Sequence, residues 1–130
     1  MSVSVGDSAE TTRTVTEQVL EHFAEATGDR NPIHFDEGYA ATTRFGGRIA
    51  HGLLVGGIIS SLLANDLPGP GTVYLGQELS FRAPVRIGDE VRCEVDVTEV
   101  GERGRVTLAT RAWVGDTLVV DGVARVLAPG

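Results

Sequence analysis

Lysine is missing from this chain. All 11 basic residues are arginine, set against 18 acidic ones, and the formal net charge is −7. With no basic run anywhere, no nucleic-acid partner is expected. The lack of lysine also argues against a hyperthermophile. GC-rich coding and a salt-rich cytosol each account for an acidic, arginine-only composition, and both stay open. Cysteine is reduced to Cys93, so an intrachain disulfide is excluded. Cys93 alternates with Val91, Val95 and Val97, which predicts a core thiol. The longest apolar stretch, about Leu53 to Leu67, is short for a membrane span and contains Gly56, Gly57, Ser60, Ser61, Asn65 and Asp66. The first residues lack the basic-then-apolar layout of a signal peptide. A soluble, cytoplasmic protein with no membrane partner is the expectation.

What remains is an ordinary globular composition, 42% hydrophobic and 22% charged, which argues against disorder. A length of 130 residues suits one domain, 1–130, with a real core. Thr14 to Thr27 has helical spacing, with Thr14 and Glu17 as a candidate capping box and Gly28 just past its end. Asp36 can cap a short helix through Tyr39, Ala40 and Ala41. His51 to Leu67 reads as a second long helix, apolar on nearly every face and so expected to be buried all round. Gly56-Gly57 in its middle suggests close approach by a backbone or a ligand. The second half turns strand-like over Thr72–Val85, Glu90–Val100, Arg105–Val114 and Thr117–Leu127. Alternation is cleanest from Val91 to Val97, with one apolar and one wet face. These elements predict an α+β architecture, a buried helix wrapped by a long antiparallel sheet, which is the hot-dog fold. Such a sheet leaves an edge that a second copy would cover, so a homodimer is expected.

Two segments carry chemistry. Gly28-Asp29-Arg30-Asn31-Pro32-Ile33-His34 holds a carboxylate and an imidazole in a loop stiffened by glycine and proline, which suggests acid/base work. Ala50-His51-Gly52 opens the apolar helix, where backbone N–H groups are unpaired and the helix dipole is positive. Blander readings stand beside these: an Asx turn at Asp29, a packed His34, and a glycine at 52 needed only for tight helix–sheet packing. His22 reads as solvent-facing. Asp29, His34 and His51 can be written as a three-ligand metal set, but no compact His-x-x-x-His or cysteine pair accompanies them, and no metal is expected. No Gly-x-Gly-x-x-Gly follows a strand, so no bound dinucleotide is suggested.

The run Phe23-Ala24-Glu25-Ala26-Thr27-Gly28-Asp29-Arg30-Asn31-Pro32-Ile33-His34, with Ala40 beyond it, resembles the hydratase-2 motif of MaoC-like (R)-specific enoyl-CoA hydratases. Ala50-His51-Gly52, Tyr74 to Val85 and Gly88-Asp89-Glu90-Val91 are similar to that family too. The resemblance covers about residues 15 to 127, with Ala26 as one mild departure. The short length resembles the single-hot-dog hydratases, including those feeding polyhydroxyalkanoate synthesis. The resemblance implies reversible hydration of trans-2-enoyl-CoA to (R)-3-hydroxyacyl-CoA, with no cofactor, since coenzyme A is part of the substrate. It implies Asp29 and His34 as the catalytic pair and the Gly52 amide as oxyanion donor. Asn31 and His51 are read as supports of the loop. Ser60 is read as lining an acyl channel or, equally, as a helix hydroxyl bonded to a preceding carbonyl. Arg44, Arg48, Arg82 and Arg86 are candidates for the polyanionic coenzyme, or ordinary solvated arginines. Alternatives are a dehydratase for carrier-protein or specialised enoyl-CoA substrates, a thioesterase, and a non-catalytic acyl-binding partner subunit.

Overall fold

Alternating valines govern how the second half of the chain folds. In the computed structural model, which describes residues 2–130, the chain forms β1 (Ser8–Thr14), α1 (Glu17–Thr27), α2 (Pro32–Phe35), α3 (Glu37–Ala41), α4 (Gly52–Asn65), β2 (Val73–Phe81), β3 (Glu90–Val100), β4 (Arg105–Val114) and β5 (Thr117–Leu127). The strands make one antiparallel sheet in the order β1-β3-β4-β5-β2. In β3 the apolar set Val91, Cys93, Val95 and Val97 is buried, and it pairs with the inward set of β4 through Cys93↔Ala112, Val95↔Thr110 and Val97↔Leu108. Period-two alternation therefore places one whole face of both strands in the core. The other face carries ion pairs, Arg111 to Asp96 at 2.9 Å and to Glu94 at 3.4 Å.

α4 lies across the inner face, with Leu54, Val55, Ile59, Leu62 and Leu63 buried against the valines of the sheet. This is the hot-dog arrangement expected from the sequence. Cys93 is fully buried, and burial pushes its thiol up to about 12. Among the described residues, no helix is long and apolar enough to cross a membrane.

Four expectations change. The cap of α1 is Thr16, whose Oγ1 accepts from the Val19 N–H at 3.1 Å. Thr14 is drawn instead into β1, where it pairs with Glu90. β2 stops at Phe81 because Arg82 and Ala83 both donate to the Val119 carbonyl, at 2.7 and 3.3 Å, and Pro84 has no N–H to continue the ladder. α4 is not buried all round: Leu53 is 64% exposed, and Gly57, Ser61 and Ala64 are exposed along the same stripe. Five strands curve round only part of the helix. Within the Gly56-Gly57 pair, a Cβ at Gly56 would stand 3.0 Å from the Leu79 side chain, whereas Gly57 faces open space. The close protein neighbour there is thus a side chain rather than a backbone, and both glycines line a cavity of about 650 Å³, the space the ligand alternative requires.

Of the glycines, Gly122 leaves the least room for a side chain. A Cβ there would stand 1.8 Å from the Glu78 carbonyl oxygen across the β2–β5 ladder. Gly122→Ala is expected to destabilise the protein by about 3 kcal/mol, in the range of overpacking strain. The check is a fall in the denaturation midpoint with an unchanged denaturant slope; an unchanged midpoint would refute this packing.

Candidate active site

The site begins where α1 ends. Gly28 takes the left-handed conformation (φ 80°) that most side chains avoid, and its N–H closes the helix on the Ala24 carbonyl. Asp29 then starts a chain of local bonds. Its Oδ1 accepts from the Asn31 N–H at 3.3 Å, and the Asn31 Oδ1 accepts from the Ile33 N–H at 3.1 Å. With Pro32 in the first turn, this converts the expected loop into a one-turn helix, α2, and places His34 on it. The Asx turn at Asp29 is therefore real, and it leaves the carboxylate half-exposed.

A second segment straps over the first. The Arg48 Nε donates to the His34 carbonyl at 2.6 Å, and its guanidinium pairs with Glu17 on α1. That guanidinium holds the Glu17 carboxyl below its ordinary range. Arg86 donates to the carbonyls of Phe45, Gly47 and Arg48, which fastens a segment with no regular structure of its own. Ala50 donates to the Val85 carbonyl at 2.7 Å. The strap offers the Ile49 carbonyl to His34 Nδ1 at 2.7 Å. A carbonyl only accepts, so in neutral His34 the proton sits on Nδ1 and Nε2 carries the lone pair. His51 Nε2 lies 3.0 Å from the Asp29 carbonyl, and the His51 and His34 rings stack with centroids 3.8 Å apart. Burial pushes the His51 pKa down, which favours its neutral form.

Asp29, His34 and His51 each bring one donor atom within 4.8 Å of the others. Next to them α4 starts at Gly52 without a side-chain cap; the Leu54 N–H closes on the His51 carbonyl at 3.2 Å, and the Gly52 and Leu53 amides come before the helix's own bonds begin. A Cβ on Gly52 would stand 2.6 Å from the Phe81 ring, so packing as well as access requires glycine here. Asp29, His34, His51, Gly52 and Phe81 line one cavity of about 590 Å³. Ser60 lies in a neighbouring cavity of about 650 Å³ that shares Phe23, Leu53 and Phe81 with the first. The helix hydroxyl that bonds a preceding carbonyl is Ser61, not Ser60. His22 is exposed on α1, outside this group. Of the four arginines, Arg48 and Arg86 brace the strap and Arg82 pairs with Asp121 at 2.9 Å. Arg44 lines the cavity, its guanidinium 5.4 Å from the Phe45 ring. Sequence reasoning missed Phe81, whose only signal there is an aromatic inside the strand motif.

The arrangement joins a carboxylate, an imidazole lone pair and an uncapped helix start. The family described as MaoC like domain matches residues 3–119. The chain belongs to the MaoC-like family. It is 58% identical over 108 residues to the 3-hydroxybutyryl-CoA dehydratase of Methylorubrum extorquens, covering 82% of this chain and 69% of that one. It is 45% identical over 128 residues to the (R)-specific enoyl-CoA hydratase of Rhodospirillum rubrum, covering 98% and 89%. The solved (R)-hydratase from A. caviae involved in PHA biosynthesis superposes with a TM-score of 0.94 at 43% identity, covering 98% of both chains. The MaoC-like fold thus extends over nearly the whole chain.

Asn31 is the hinge of the local geometry. Asn31→Ala should cost about 1 kcal/mol as a lost cap. Faster hydrogen exchange at the Ile33 and His34 amides, with Asn31→Asp close to wild type, is the expected readout. Unchanged exchange in the Ala variant would contradict the capping role.

Proposed function

We propose that this protein is an (R)-specific enoyl-CoA hydratase, a hydro-lyase that reversibly adds water to a trans-2-enoyl-CoA and yields the (R)-3-hydroxyacyl-CoA. One observation carries the reading. The Asp29 carboxylate and the His34 ring come within 4.8 Å of each other, in a cavity that also holds the uncapped start of α4. Two groups at that separation can both hydrogen-bond one water molecule. In this reading, the pair takes a proton from that water as its oxygen bonds to C3, and a proton is delivered to C2. The neutral His34 tautomer presents only a lone pair at Nε2, so it must receive a proton before it can give one. Negative charge gathers meanwhile on the thioester oxygen. The Gly52 N–H, at the positive end of α4, is the proposed donor to it, a contribution of about 3 kcal/mol to lowering the barrier.

The reaction needs no redox step and, in this proposal, neither metal nor bound cofactor. Two rings stacked 28° from parallel do not aim their in-plane lone pairs at a common point, and one nitrogen of each ring is already held by a carbonyl. Arg44 is the proposed contact for the phosphates of coenzyme A.

A homodimer is proposed as the working form. β2 is an edge strand, and it exposes Val73, Tyr74, Leu75 and Phe81 beside the uncovered Leu53 of α4. An apolar edge of this kind calls for a cover. The protein should sediment at twice the 13.7 kDa chain mass, and Leu75→Asp should shift it toward monomer. A wild-type monomer at micromolar concentration would overturn the assembly.

Purified protein given crotonyl-CoA should remove the conjugated enoyl absorbance without releasing free thiol. Coupling to an (R)-specific dehydrogenase should consume the product. Asp29→Asn and His34→Gln should each lower kcat by about 10²–10⁴ with the circular dichroism unchanged, and a chelator should have no effect. Thiol release without hydration would instead indicate a thioesterase, and neither reaction a non-catalytic acyl-binding subunit. Near-normal turnover in either variant would refute the assigned pair.

A further inference from the structure

His51 sits at the centre of the site yet has no step to perform in the proposed reaction. Its side chain is only 2% exposed. Its Nδ1 is buried with no hydrogen-bond partner, an arrangement that proteins generally avoid. A leucine or phenylalanine would fill this space without orphaning a polar atom. Two other properties of the ring therefore account for a histidine here.

The first is the Nε2–H. It meets the backbone carbonyl of Asp29 at 3.0 Å, while the nearer carboxylate oxygen is 3.9 Å away. His51 thus holds the peptide that carries Asp29 without hydrogen-bonding its carboxylate. The second is the ring face. It lies 3.8 Å from the His34 ring at 28° to it, with Phe23 at 4.7 Å and Phe35 at 5.7 Å around it. Two residues upstream on the same strap, the Ile49 carbonyl takes the His34 Nδ1–H. The short strap from 49 to 51 therefore touches both members of the pair. The two histidines are fixed in opposite tautomers, His34 as Nδ1–H and His51 as Nε2–H.

We propose that His51 is a positioning residue: as the neutral Nε2–H tautomer it ties the Asp29 backbone to the His34 ring and holds the pair at the separation one water spans. Its kinetic consequence rests on the hydratase reading; its tautomer does not. Protonation would place a second N–H in a buried spot without an acceptor. It would also set a charge against the His34 ring. The titratable groups facing His51 are His34 from α2 and Asp29 from the loop, while α1 presents Phe23, which is uncharged.

The test pairs a spectrum with two variants. In protein labelled with ¹⁵N-histidine, His51 should show the neutral Nε2–H pattern at neutral pH and keep it where a free histidine titrates, near about pH 6.5. A protonated His51 or an Nδ1–H tautomer at neutral pH would overturn the proposal. His51→Gln keeps a donor the same number of bonds from Cβ, whereas His51→Phe keeps the ring but no donor. With crotonyl-CoA, the Phe variant should lose about 100-fold in kcat with KM little changed, the scale expected for a misplaced catalytic group. The Gln variant should recover most of that loss. Equal loss in both, or full activity in the Phe variant, would count against the tie. If the Phe variant fails to fold, a Gln variant as inactive as His34→Gln would equally count against it. A wild-type protein inert to crotonyl-CoA would overturn the hydratase reading alone, since the spectrum needs no substrate.

Discussion

Leu54, Val55, Ile59, Leu62 and Leu63 are shut into the curve of the sheet, and any slide or rotation of α4 would pull them out of that packing. Its first residue is then held at a defined point on the rim. Helix starts expose unpaired amides wherever they fall. Here the start falls beside the turn that carries Asp29 and His34 and inside the same cavity. Packing that belongs to the core thus decides where a partial positive charge meets a carboxylate and an imidazole.

The rim itself has little regular structure, and hydrogen bonds to carbonyls replace it. Arg86 fastens Phe45, Gly47 and Arg48, Arg48 fastens His34, and the Ile49 carbonyl orients the His34 ring. Each of these bonds joins a side chain to backbone across 14 or more residues. Two of the four arginines near the site, Arg48 and Arg86, are committed to this framework, and a third, Arg82, to Asp121 on β5.

Much of this was legible in the residues. The alternation through Val91, Cys93, Val95 and Val97 is a local pattern, and β3, β4 and β5 begin and end where it predicts. The Gly28 stop and the Asp36 cap are likewise read within a few residues. The Gly-Asp-x-Asn-Pro-x-His run shows the catalytic candidates for the same reason. What escaped was set at long range. Thr14 rather than Thr16 was a fair cap until β1 claimed it for pairing with Glu90. The open stripe at Leu53 depends on how far five strands can curl, which no hydrophobic period reports. The tie from His51 to Asp29 spans 22 residues and ends on a carbonyl, so nothing in either residue's type points to the other.

The Glu17–Arg48 pair lies on the surface, far along the chain from the residue it helps to hold. Arg48 keeps the Glu17 carboxyl below its ordinary range, so the stabilisation is complete above the unfolded carboxylate range and is lost as pH falls through that lowered value. The sheet interior has nothing comparable to lose: its buried ionisable group, Cys93, stays a neutral thiol throughout. Acid strong enough to protonate Glu17 therefore removes the partner of the Arg48 guanidinium, while the bond from Arg48 Nε to the His34 carbonyl and the apolar face of the sheet carry no carboxylate to titrate.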